Sequence, residues 1–217
     1  MATSPEQPVP ARVADVYLRD GPRARVHWPA ASGARPALLM FFHLQEAIDE
    51  YACRRLAREG GFVVLAVSHP LAADHPYPAV VRDAEATLGW AADHAAELGA
   101  DPDRLVVAGA GPGAGPAAGV ALSARDDGWP PIVRQLLIRP DLHSYGGGPL
   151  SGVPPATVVS TRQDDGRLHS ARLREAGVPV REIHYDHTPD QPSVLGDLIR
   201  VLDQDRAADG KDRDSWR

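Results

Sequence analysis

Apolar positions follow two rhythms along this chain. Short, nearly unbroken apolar runs at 13–18, 24–28, 37–42, 62–67, 105–108, 135–138, 157–161 and 180–185 read as eight strands. Between them the spacing changes. Val81, Ala84, Leu88, Ala91, Ala95 and Leu98 fall three and four residues apart with Gly99 behind them, which predicts an amphipathic helix with a glycine stop. A second helix sets Ile48, Tyr51, Ala52 and Leu56 on one face and ends at Gly60 and Gly61. Others are predicted over 167–176, stopped by Gly177, and over about 193–202. The first two strands are expected to pair as a hairpin with Asp20 and Gly21 in the turn. The later strands are apolar throughout and separated by helices, as strands covered on both faces are. That pattern predicts a mostly parallel eight-stranded sheet with helices on both sides, an α/β class fold.

Composition sets the limits of the domain. Of the 217 residues, 1–11 are rich in proline and polar residues and 206–217 are mostly charged, so both are expected to be disordered around a single domain over 12–205. The net charge of −6, without a basic cluster, argues against nucleic acid or an acidic membrane as partner. One cysteine, Cys53, excludes an intramolecular disulfide and any thiolate metal cluster. No apolar run reaches membrane-spanning length and the first residues lack a secretory pattern, so a cytoplasmic protein, monomeric or homodimeric, is expected. No pattern calls for a cofactor or a metal.

The most informative stretch is DRLVVAGAGPGAGPAAGVAL, residues 103–122. A strand entering a glycine-rich turn and then a small-residue helix has the layout of a nucleophile elbow, in which G-x-S-x-G lifts a serine hydroxyl above the sheet. Here the five positions are Gly109, Ala110, Gly111, Pro112 and Gly113, and no serine occurs between Ser68 and Ser123. The turn-forming glycines are present, with glycine at the nucleophile position.

The stretch HPLAADHPYPAVVRDAEATLGWAADHAAELGADPDRLVVAG (69–109) resembles the hormone-sensitive-lipase-like esterases of the α/β-hydrolase fold. LSGVPPATVVSTRQD (150–164) and ARLREAGVPV (171–180) are similar to later blocks of that family. The resemblance implies an α/β-hydrolase core, and its members hydrolyse short acyl esters with a Ser-Asp-His triad and an HGGG oxyanion loop. Carried over position by position, the oxyanion loop corresponds to His43, Leu44, Gln45 and Glu46, and the nucleophile to Gly111. Pro112 stands where the second oxyanion amide belongs, and proline has no N–H to donate. The triad acid matches Asp164, whereas the triad histidine position falls at Asp190, with His187 just before it. Family cap helices have little room here, so the cap is expected to be minimal or absent and the upper surface open.

The resemblance therefore implies a homologue without serine-hydrolase catalysis that binds an unidentified small molecule or protein at a mouth formed by Leu44, Gln45, Gly111, Pro112 and the segment around His187. An open mouth with little to enclose a substrate leans towards a protein. The same family includes non-catalytic members, the plant gibberellin receptors. The alternatives are a non-serine enzyme using an Asp164–His187 dyad, in which the carboxylate fixes the imidazole tautomer, or an ester hydrolase with an unidentified nucleophile. Three further patterns have simpler structural readings. Residues 109–114 also fit G-x-G-x-x-A of dinucleotide-binding turns, but Arg139 stands where the confirming acidic residue belongs. His184, Asp186, His187 and Asp190 match no strong ligand spacing. Cys53 has no base beside it, and His75 and Tyr77 are expected to be structural.

Overall fold

A computed structural model describes residues 12–17, 23–30, 37–43, 49–68, 77–143 and 147–214. The chain runs β1 (Val13–Tyr17), β2 (Arg23–His27), β3 (Ala37–His43), α1 (Glu50–Arg58), β4 (Val63–Ser68), α2 (Tyr77–His94) and β5 (Asp101–Ala110). A single 3-10 turn, Gly111–Gly113, leads into α3 (Ala114–Asp127). Then follow β6 (Ile132–Ile138), β7 (Ala156–Thr161), α4 (Gly166–Glu175), β8 (Val180–Tyr185) and α5 (Gln191–Asp214). The eight strands form one sheet in the order β1-β2-β4-β3-β5-β6-β7-β8. β1 and β2 pair antiparallel, as expected of the hairpin, although Asp20 and Gly21 lie outside the described residues. β2 also runs antiparallel to β4, and every other pairing is parallel.

Side-chain alternation explains why helices cover both faces. Leu38, Met40 and Phe42 of β3 face α2 and α3, together with Leu105 and Val107 of β5. Leu39 and Phe41 face the other way, onto Ala52, Cys53 and Leu56 of α1 and Val194, Leu195 and Leu198 of α5. All six residues of β4 are buried. A strand enclosed on both sides favours apolar side chains, hence the apolar run Val63–Val67 before Ser68 at its end.

Two boundaries differ from the sequence reading for one physical reason. β5 and β6 begin earlier than predicted, at Asp101 and Ile132, because their first residues lie at the sheet margin, where polar side chains reach solvent or one another. Arg134, for example, pairs with Asp205 at 2.8 Å. Asp205 also receives Arg181 of β8 at 3.2 Å, so two arginines from the sheet hold the far end of α5. That helix therefore runs on past the predicted stop near residue 202, and the segment expected as a disordered tail from 206 is helical as far as Asp214. Between β6 and β7 the described residues contain no helix.

Two buried histidines make the fold sensitive to acid. His169 on α4 is 3% exposed, and burial, aided by Arg172 and opposed by Asp165, pushes its pKa down to about 4. His27 on β2 is fully buried, and burial likewise lowers its pKa. An unfolded histidine takes up a proton near pH 6.5, which the folded chain refuses until lower pH. For His169 the resulting stability is complete above pH 6.5 and falls as pH drops towards 4, by about 1.4 kcal/mol per unit, and His27 adds a loss of the same sign. Urea unfolding at pH 7 and pH 5 should show this loss. In His169→Gln the difference between the two should shrink by roughly 2 kcal/mol.

The corner between β5 and α3 depends on two glycines used differently. A Cβ at Gly109 would lie 2.1 Å from the Gly113 carbonyl oxygen, so the chain can fold back on itself only without a side chain there. Gly111 sits at φ +52°, a left-handed conformation, and a Cβ on it would meet nothing within 4 Å. Gly109→Ala should therefore destabilise by at least about 2 kcal/mol through steric overlap. Gly111→Ala should cost only about 1 kcal/mol, through backbone conformation. Denaturant unfolding of the two variants checks this ranking.

Candidate functional site

The glycine corner opens into a pocket of about 460 Å³ at the carboxyl ends of β3, β5 and β6, where ligands sit in open α/β sheets. Phe41 and Phe42 come from β3, Ala110, Gly111 and Pro112 from the corner, and Ile138 and Arg139 from the end of β6. The opposite wall is Asp49 and Ala52 at the start of α1, with Pro189, Gln191, Val194 and Leu195 leading into α5. Gly111 and Pro112 thus lie where the sequence places the mouth. The G-x-G-x-x-A pattern forms this corner, in a sheet whose strand order is not that of a dinucleotide-binding fold. Leu44, Gln45 and Glu46 lie outside the described residues. His43 ends β3, its backbone opposite Ser68 of β4.

Asp164 is present but engaged locally. Its Oδ2 accepts the Thr161 amide and hydroxyl, both at 2.7 Å, and its Oδ1 accepts the Gly166 amide at 2.9 Å. These bonds close the turn from β7 into α4. No hydrogen bond or ion pair joins Asp164 to His187, which is exposed in the bend after β8, so the expected dyad is not formed. Asp190 accepts the Ser193 amide at 2.7 Å, a bond that holds its carboxyl below the usual range, and its carbonyl accepts from Val194. It caps α5, as aspartate commonly does.

A serine and a histidine do meet elsewhere. Ser160 of β7 stands directly across from His184 of β8, its Oγ 2.9 Å from Nδ1, and Asp186 lies 3.9 Å from Nε2. The hydroxyl has one proton, and Glu182 is placed to take it at 3.0 Å. Ser160 is fully buried, and its Cβ would lie 2.7 Å from a Cβ on Gly166, which packs over it. An acyl carbon has no approach to that oxygen, so the pair is structural. Cross-strand register creates it, and nothing in the separate stretches announced it.

The His184, Asp186, His187 and Asp190 group does not converge as ligands either. Asp186 instead pairs with Arg162 at 2.9 Å. Among the described residues, ligating atoms come together at Asp141, His143 and Asp165, where the imidazole already lies 3.1 and 3.2 Å from the two carboxylates. Cys53 is buried on α1, and burial together with nearby Asp49 and Glu50 pushes its thiol pKa far up, opposite to what a nucleophile needs. His75 lies outside the described residues. No described helix is long and apolar enough to cross a membrane.

Arg139, which stands where a dinucleotide-binding turn would have its acidic residue, is the one cation among the described residues that line this pocket. Its backbone has φ +45° and its side chain lines the pocket.

With this geometry in place, comparison with known proteins is informative. Residues 40–147 match the model of a family described as alpha/beta hydrolase fold. Esterase LipI of Mycobacterium tuberculosis is 39% identical over 150 residues, 63% of this chain and 47% of LipI. Carboxylesterase NlhH of the same organism is 38% identical over 211 residues, 72% of this chain and 66% of NlhH. The chain thus spans about half of the first relative and just under two thirds of the second. The crystal structure of DphMB1 superposes with a TM-score of 0.78 at 30% identity, covering 92% of this chain and 87% of that one. The order of strands, the glycine corner and these similarities agree: this chain belongs to the α/β-hydrolase family, and esterases are among its homologues.

Proposed function

We propose that this chain keeps the esterase scaffold without serine-hydrolase catalysis and uses the pocket over the glycine corner to bind a small molecule. The observation that carries the reading is the corner itself: Gly111 occupies the apex and Pro112 follows it, so the apex offers neither a hydroxyl nor an amide hydrogen at the next residue. Removing a nucleophilic serine costs about 10⁶ in turnover, and removing one oxyanion donor a further 10² to 10³ or so. Those losses leave no useful rate by the esterase route. Asp164 and Asp190, committed to the turn into α4 and to the cap of α5, support the same reading. The pocket's volume falls in the range that encloses small molecules, which favours such a ligand over a protein partner.

Short-chain nitrophenyl esters test this. The wild-type protein should hydrolyse them no faster than buffer does. Gly111→Ser should do no better, because Pro112 still lacks a donor and no histidine is bonded to Asp164. Turnover by the wild type, or its appearance with that single change, contradicts the reading.

A further inference from the structure

We infer that the pocket takes a monocarboxylate with an apolar body, and that Arg139 is the residue that binds its carboxylate. The inference rests on the binding role proposed above and names the ligand class. Among the described residues Arg139 is the one non-glycine residue with positive φ, at +45°. Side-chain-bearing residues rarely adopt that conformation, and it persists where neighbouring bonds over-determine it. They do so here. The Arg139 amide donates to Val159 O at 2.7 Å, the Asp141 amide to Gly111 O at 3.0 Å, and the Leu142 amide to Asp165 Oδ2 at 2.9 Å. Pro140 O accepts the Asp165 amide at 3.2 Å. The segment is fastened on both sides of Arg139, to the corner and to the start of α4, and a glycine would fit it with less strain. The sequence instead sets a cation there.

The guanidinium is exposed and has no hydrogen-bond or ion-pair partner among the described residues. The carboxylate that shares the pocket wall, Asp49, is already taken. Its Oδ1 accepts the Ala52 amide at 3.0 Å as the cap of α1, and its Oδ2 accepts from the Gln191 side chain. What remains is one free cation beside a wall of Phe41, Phe42, Ile138, Val194 and Leu195. Gly111, with nothing within 4 Å of its absent side chain, leaves room above the corner. A planar guanidinium fork matches a carboxylate with two parallel hydrogen bonds. A single guanidinium pairs with one carboxylate charge, and the fixed Asp49 anion in the same wall disfavours the second charge of a dianion such as a phosphate monoester.

Ligand-observed NMR titrations with octanoate, octanamide and octyl phosphate, each of which can be followed at the same methylene signals, test the assignment. Octanoate should bind the wild-type protein at least about tenfold more tightly than octanamide, and octyl phosphate more weakly than octanoate. Arg139→Gln should weaken octanoate by roughly ten- to a hundredfold, the range expected for hydrogen bonds to a charged group, and leave octanamide unchanged. Arg139→Gly should lose the same preference while raising Tm by about 2 °C or more, since it relieves the backbone. The split between stability and binding separates a ligand-holding residue from a structural one. Equal binding of octanoate and octanamide, binding of neither, or octanoate retained by Arg139→Gln overturns the inference. Tighter binding of octyl phosphate overturns the choice of carboxylate. None of these outcomes depends on ester turnover, so the inference and the proposed silence of the scaffold can fail separately.

Discussion

The closest approach in the corner, Gly109 against the carbonyl of Gly113, is the constraint on which the rest of the site depends. Because no side chain separates them, β5 can end and α3 begin within a few residues, and the peptide chain turns upward at Gly111. The turn in turn fixes its surroundings. The Gly111 carbonyl receives the Asp141 amide, so the connection leaving β6 is held against the corner, and Arg139 with it. The pocket is the space between that connection and the start of α5. The corner thus shapes a cavity.

Pro112, Asp164 and Asp190 each serve local structure here. Pro112 sits in the first turn leading to α3, where its missing N–H has no helical partner to lose. Asp164 closes one turn with three hydrogen bonds and Asp190 caps a helix. Each of these carboxylates accepts from donors within three residues along the chain, so each is engaged locally without an N–H from a distant imidazole. The same principle accounts for Asp49, which caps α1 and thereby leaves Arg139 the uncommitted charge in the pocket.

How much of this could be read from the residues depended on whether partners were near in sequence. β3 and β4 were legible because burial on both faces demands an unbroken apolar run, and the corner because Gly109, Gly111 and Gly113 are spaced for one turn. The early residues of β5 and β6 were not, since polar side chains at a sheet margin look like loop. The length of α5 was hidden because the arginines that hold Asp205, Arg134 and Arg181, come from β6 and β8 rather than from the helix itself. Similarly, Ser160 and His184 meet through β7–β8 register alone. The Asp164–His187 pairing was the alternative reading, family spacing itself pointing to Asp190, and Asp164 instead bonds within its own turn at Thr161 and Gly166. Arg139 was visible as a residue, but its left-handed backbone and its place in the wall were not.

We propose that this α/β-hydrolase fold carries no covalent serine chemistry. Incubation with diisopropyl fluorophosphate followed by intact-protein mass measurement addresses that claim without assuming any substrate. The unmodified mass alone is predicted, with no adduct at any of the serines. A stoichiometric adduct, mapped to Ser160 or to any other hydroxyl, would mean that an activated nucleophile exists and that the claim is wrong.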